Sequence, residues 1–147
     1  MNDIVWPVNP VYPCIIDVSH DDIDGLNHAN NGSYVKWCEQ AAWEHSQALG
    51  LGIKDYQALD RGMAVRHAEY HYLAPAILND KLIFATWLSH SAGSKMTREF
   101  YVVRQSDHKV ILTAVWKLVC IEISSGKIKR LPTEFIDVYG KAVITQE

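Results

Sequence analysis

The sequence predicts an α+β fold in which a curved antiparallel β-sheet wraps around one long central α-helix. Three observations predict it. A single stretch, fed by the polar loop that begins at Asp22 and running to Leu49, carries apolar residues at helical spacing: Tyr34, Trp37, Cys38, Ala41, Ala42, Ala48 and Leu49, with Lys36, Glu39, Gln40, Glu44 and Gln47 largely between them. From Met63 onward the period changes from near four to two, over segments rich in Val, Ile, Tyr, Phe, Trp and Thr. The breaks between those segments are short, and short breaks favour antiparallel neighbours because parallel ones need long crossovers.

Taken in order, the opening carries Pro7, Pro10 and Pro13 and reads as an irregular arm. Residues 12–18 form the first strand, centred on Ile15 and Ile16. The polar loop DDIDGLNHANNGSY follows, then a helix of about eighteen residues, roughly 27 Å long at 1.5 Å per residue and enough to cross a small domain. Gly50 and Gly52 end it as glycines commonly do. Gly50-Leu51-Gly52 is no dinucleotide fingerprint, since Asp55 stands at the third glycine position and a helix precedes it. Residues 53–62 read as a short helix or loop. Four strands are expected at 63–73, 80–90, 95–105 and 109–123, with turns at Asn79-Asp80, Gly93-Ser94 and Ser106-Asp107, and a closing helix at 133–143 after Pro132.

Composition excludes several classes. The 147 residues, with no repeat or linker, are read as one domain spanning 1–147. A net charge of −3 leaves no basic footprint for nucleic acid. No apolar run approaches the length of a membrane span, and the start lacks the basic and apolar regions of a leader, so a cytoplasmic protein is expected. Cys14, Cys38 and Cys120 show no paired spacing and are expected to be reduced and buried. Five tryptophans and seven tyrosines leave much aromatic area to bury, which points to a homo-oligomer, a homodimer or homotetramer.

The chemistry concentrates at the start of the helix. A first turn leaves backbone N–H groups unpaired and carries about half a positive charge. Asn30, Asn31 and Ser33 are capping types, and Gly32 allows close backbone approach. Asp22 and Asp24 lie just upstream. A carboxylate beside such an end can attack a polarised carbonyl or activate water; the plainer reading is that these residues only cap the helix and tighten its entry loop. Other constellations are weaker. His20, Asp22, Asp24 and Gly25 fit part of a calcium loop, but His20 and Asn31 occupy positions that want Asp and Glu. His67, Glu69 and His71 share one strand face without the spacing of a helical zinc motif, so no metal is expected. No Gly-x-Ser-x-Gly is present, and Cys38 lacks a basic neighbour.

The loop Asp22-Ile23-Asp24-Gly25-Leu26-Asn27-His28-Ala29-Asn30-Asn31, the helix start Tyr34-Val35-Lys36-Trp37-Cys38-Glu39, the segment Glu69 to Ala76 with Asp80, and Arg130-Leu131-Pro132 occur in the order of one known family. Over residues 12–138 the chain resembles the hotdog-fold acyl-CoA thioesterases of the 4-hydroxybenzoyl-CoA thioesterase-like group. Two departures stand out. Asn27 occupies the family's glycine position, with Gly25 nearby to take over the turn, and Ala42 replaces a common arginine.

The resemblance implies an acyl-CoA thioesterase that needs no cofactor, with Asp24 as nucleophile or general base and the amide near Asn31 as oxyanion site. It puts His28 and Asn30 in the active-site loop, where they orient water, line the pocket or hold the loop by hydrogen bonds. Gly32 and Tyr34 are expected against the substrate. Lys95, Arg98 and Arg130, with Lys127 and Lys129, are candidates for the CoA phosphates or ordinary solvated strand ends. Glu39 is the runner-up carboxylate, and Asp22 is expected to hold the loop. The competing function is a non-catalytic binder of acyl-CoA or another acyl carrier.

Overall fold

The computed structural model describes residues 4–145, so the part of the N-terminal reading that falls on residues 1–3 lies outside the described residues. Five strands, β1 (Tyr12–Asp17), β2 (Arg61–Tyr72), β3 (Lys81–Ala92), β4 (Lys95–Arg104) and β5 (Val110–Glu122), form one sheet in the order β1-β3-β4-β5-β2, and every pairing is antiparallel. The helices are α1 (Asn31–Leu49), α2 (Ile53–Leu59) and α3 (Thr133–Ala142). The stretch left open between helix and loop is thus helical over α2.

Helix α1 starts and stops where its end residues dictate. Asn30 is extended (φ −64°, ψ 143°) as a cap should be. At the other end Gly50 adopts φ 106° and donates to the Gln47 carbonyl at 3.0 Å, while Leu51 donates to the Ser46 carbonyl at 2.9 Å. That pair of bonds is a Schellman closure, which needs a left-handed residue and so a glycine.

The buried face of α1 differs from the expected stripe in its second half. Tyr34, Trp37, Cys38 and Ala41 are buried as expected, but the line continues through His45 and Ser46, while Ala48 is exposed. Four residues beyond Ala41 lies His45, so the period is kept and the polarity is not. The sheet curves over this face. Register shifts at Val65/His67, Leu88/His90 and Val102/Val103 mark bulges, which bend a strand and sharpen its twist. Trp37 meets Phe84 edge-on at 6.1 Å, and Phe100 meets Trp116 at 4.8 Å, inside one core that also takes Phe135 and Tyr139 of α3.

The opposite sheet face is partly covered by the proline-rich arm. Ile4 packs with Ile83 and Val103, and Trp6 stands edge-on to Tyr101 at 6.0 Å. The sheet has two edges. β1 is short and carries Pro13; β2 is twelve residues long, pairs among the described residues only with β5, and is mostly exposed from Val65 to Tyr72. Among the described residues, no helix is long and apolar enough to cross a membrane.

Candidate active site

The loop before α1 is organised by Asp22. One of its carboxylate oxygens accepts from the Ser19 amide and hydroxyl, both at 3.0 Å, and the other from the Ser33 hydroxyl at 3.2 Å. Its carbonyl accepts the Asn30 amide at 2.7 Å. The chain is thereby clamped to the first turn of α1 from a point eight residues upstream of its cap.

Within that clamp, residues 24–28 form a tight turn. The Asp24 amide donates to the His28 carbonyl at 2.8 Å, and the Asn27 amide to the Asp24 carbonyl at 3.1 Å. Asn27 itself adopts φ 61°, whereas Gly25 stays out of the left-handed region. The expectation that Gly25 takes over the turn is therefore corrected. Asparagine tolerates the left-handed conformation better than other side chains that carry a Cβ, so Asn27 serves at the glycine position directly.

The Asp24 carboxylate is exposed, and its Oδ1 accepts from the amides of Leu26 at 2.8 Å and His28 at 3.2 Å. These two backbone donors hold its carboxyl below the usual range, so it is an anion at neutral pH. At the start of α1, the amides of Asn31 and Gly32 have no main-chain acceptor among the described residues, while Ser33 turns back to the Asn30 carbonyl at 3.0 Å. No acidic side chain occupies the first turn. The free donors and the dipole of the helix end are thus open to an incoming oxygen.

A cavity of about 320 Å³ joins these groups: Asp24, His28, Ala29, Asn31, Tyr34 and the β2–β3 connection from Tyr72 to Pro75 line it. Two bonds fix its wall. The Ala29 amide donates to the Ala76 carbonyl at 2.8 Å, and the Ala76 amide to the Tyr34 hydroxyl at 3.1 Å. Tyr34 is buried, and that burial raises its phenol pKa, so it serves here as a neutral strut. Asn30 and Gly32 flank Asn31 at the helix start without lining the cavity.

The expected basic residues separate. Lys95 is exposed and lines a groove with Arg66, His90 and Lys117 on the sheet face away from α1. Arg130 is exposed nearby, since the next residue, Leu131, donates to the Gly93 carbonyl at 2.8 Å. By strand register Lys95 lies seven residues along from the level of Tyr72, roughly 23 Å at 3.3 Å per residue. Arg98 is not a solvated strand end, which corrects the expectation. Alternation on β4 turns it inward with Met96, Phe100 and Val102, and it is 4% exposed. Its Nη1 donates to His45 Nδ1 at 2.8 Å and to Thr86 Oγ1 at 3.1 Å.

Around Arg98 lies a polar cluster that hydrophobicity reading passes over. Ser46 donates to the Leu51 carbonyl at 2.6 Å, so the Tyr139 hydroxyl, 2.6 Å from Ser46 Oγ, must donate to it, and Tyr56 in turn donates to Tyr139. The signal that finds these residues is periodicity kept without polarity: His45 and Ser46 continue the α1 stripe, and Arg98 continues the inner row of β4. On β2, His67 and His71 flank Glu69 at 3.2 and 3.8 Å on an exposed face.

Comparison with known proteins agrees with this architecture. Residues 18–138 match the family described as the Thioesterase-like superfamily. The long-chain acyl-CoA thioesterase FadM of Escherichia coli (strain K12) is 25% identical over 116 residues, which cover 76% of this chain and 84% of that protein. Slr0204, a 1,4-dihydroxy-2-naphthoyl-CoA thioesterase from Synechocystis, shares the fold with a TM-score of 0.80 at 17% identity, covering 88% of this chain and 96% of that one. The DHNA-CoA thioesterase from Staphylococcus aureus gives 0.83 at 18% identity over 89% of each chain.

Proposed function

Because the chain belongs to the Thioesterase-like superfamily and is a thioester hydrolase of the hotdog fold, we propose that it hydrolyses acyl-CoA to a free carboxylic acid and CoA with Asp24 as the catalytic carboxylate. The observation that carries this reading is that Asp24 and the first residue of α1, Asn31, line one cavity. A thioester carbonyl seated between them has a carboxylate on one side and unpaired amides on the other.

The chemistry needs little else. A thioester has weak resonance stabilisation and a thiolate that leaves readily, so strong protonation of the leaving group is not required. Asp24 either attacks the carbonyl carbon, expelling CoA thiolate and leaving a mixed anhydride that water opens, or takes a proton from the water that attacks. In both routes negative charge develops on the carbonyl oxygen and is met by the Asn31 amide at the positive end of the helix dipole. Losing one such donor in other hydrolases costs about 10²–10³ in rate. His28, on the same cavity, orients the water, and Asn30 keeps the helix start in place through its bond to Asp22.

CoA phosphates fall to the exposed Lys95 and Arg130, which lie with Arg66 and Lys117 at one end of the sheet. The reading includes a homodimer through β2, a long edge without proline whose free backbone groups invite a second copy. Since Tyr72 lines the Asp24 cavity, such a copy would wall its open side. Sedimentation should then give twice the chain mass, and a monomer at micromolar concentration would remove this part.

The test of the central claim is thiol release from a panel of acyl-CoAs. Asp24→Asn should lower release by at least about 10³-fold while ligand-induced thermal stabilisation persists. Equal rates in both proteins would remove Asp24 from the mechanism. Stabilisation without release in either would favour the non-catalytic binder.

A further inference from the structure

A second cavity, of about 200 Å³, lies between the later turns of α1 and the sheet, with Ala42, Trp43, Met63, Met96 and Trp116 among its walls and Arg98 in its lining. An apolar cavity of about 150 Å³ is large enough for benzene, so this one has room for a ring or a short chain. Its walls are apolar except at Glu39, at Arg98 and at the Ser46–Tyr139–Tyr56 chain.

Arg98 is the anomaly. A guanidinium carries five N–H donors. Both hydrogens of Nη1 are used, on His45 and Thr86, and neither acceptor is charged: His45 must present a bare Nδ1 to an obligate donor. Nε and Nη2 have no acceptor among the described residues, and no carboxylate lies within ion-pair distance. Glu39, on the same cavity, is exposed and is not paired with it. Burial draws Arg98 down only to about 10, so the cation persists at neutral pH. Buried charges are normally paired, and the edge left free is the side-on fork that grips a carboxylate with two parallel hydrogen bonds.

We propose that this cavity takes the far end of acyl groups that terminate in a carboxylate, gripped by the Nε–Nη2 edge of Arg98. This rests on the thioesterase reading above and adds the substrate class. Register supports the reach: Arg98 is level with Ala68, four residues from Tyr72, roughly 13 Å along the strands from the Asp24 cavity. A chain of several carbons spans that interval together with the length of the arginine side chain.

The experiment compares ω-carboxyacyl-CoAs, from glutaryl to suberyl, each against the straight-chain acyl-CoA of the same carbon number. The wild-type protein should favour the carboxylated member at one or more lengths by at least about tenfold in kcat/KM, and Arg98→Gln should collapse that ratio. Hydrolysis of both series with the neutral members equal or preferred overturns the inference and leaves the thioesterase reading intact. If neither series is hydrolysed, that reading falls, and the inference is decided by binding: suberyl-CoA must raise Tm more than octanoyl-CoA, and an equal or smaller rise overturns it. Should Arg98→Gln not fold, the wild-type ratio alone decides.

Discussion

The carboxylate of Asp22 reaches across eleven residues to the hydroxyl of Ser33, at 3.2 Å, and ties the entry loop to the first turn of α1. The same side chain collects the amide and hydroxyl of Ser19. Asp22→Ala therefore frees three donors at once. Because they are partly solvated, the expected loss of stability is modest, about 1–2 kcal/mol in urea unfolding. The expected loss of kcat is larger in proportion, about ten- to a hundredfold, because Asp24 and the Asn31 amide are positioned through this clamp. An unchanged kcat would mean that the loop holds its geometry without Asp22.

Asn27 offers a test in the backbone. At φ 61° a residue with an ordinary Cβ costs about 1–2 kcal/mol, which asparagine partly avoids and glycine avoids altogether. Asn27→Ala should therefore lower Tm, and Asn27→Gly should leave the protein more stable than Asn27→Ala by about 1 kcal/mol. If alanine is tolerated as well as glycine, the turn is not the constraint proposed.

Most of the element pattern was legible because periodicity is a local property. The switch from helical to alternating spacing at Met63 marks the passage from α1 to β2, whereas the helix over 53–59 rests on tertiary packing such as Tyr56 against Phe135, 4.8 Å between rings, a contact no local pattern contains. The loop's chemistry was legible through its residue types. What stayed hidden was polarity inside the core. His45, Ser46 and Arg98 sit at positions whose period says buried and whose chemistry says exposed, and only tertiary partners such as Thr86 and Tyr139 resolve that conflict. Asn27 was hidden for a different reason: nothing in the sequence distinguishes which of Gly25 and Asn27 takes the positive φ.

The two amides on Asp24 make a prediction about pH. A carboxyl whose folded pKa lies below its unfolded value lends stability above the ordinary carboxylate range, about 3.9, and loses it as pH falls through the folded value. The side chain is exposed, so the readout is activity. The acidic limb of kcat/KM, which reports the free enzyme, should lie below about pH 4, with a plateau from pH 5 upward. An acidic limb centred near pH 6 would assign the essential base to another group.

The chain from Tyr56 through Tyr139 and Ser46 to the Leu51 carbonyl has one direction, because a carbonyl only accepts. Ser46→Ala leaves that carbonyl and the Tyr139 hydroxyl without their partner in a buried site. The expected cost is about 1–3 kcal/mol, read from the urea midpoint. Tyr56→Phe, which removes only the first donor and leaves Tyr139 still donating to Ser46, should cost less. The reverse ranking would mean that the Tyr56 hydroxyl, and not Ser46, holds the buried chain together.

His45 makes the sharpest stability prediction. It is buried, stacked on Tyr12 of β1 at 5.1 Å, and accepts from the Arg98 cation of β4, so burial first and that charge second lower its pKa to about 4. In the unfolded chain it titrates near 6.5. Between those values the unfolded state binds the proton and the folded state does not, so stability rises with pH from 4 to about 6.5 and is level above. Acidification from pH 7 to 4 should then cost about 2–3 kcal/mol through this one residue. His45→Asn retains a hydrogen-bond acceptor for Arg98 without a titrating ring, and urea unfolding of this variant across the same range should show a slope reduced by that amount. A slope equal to the wild type would place the acid sensitivity elsewhere and would mean that His45 takes up its proton in the fold as readily as in the unfolded chain, against the hydrogen bond it accepts from Arg98 at 2.8 Å.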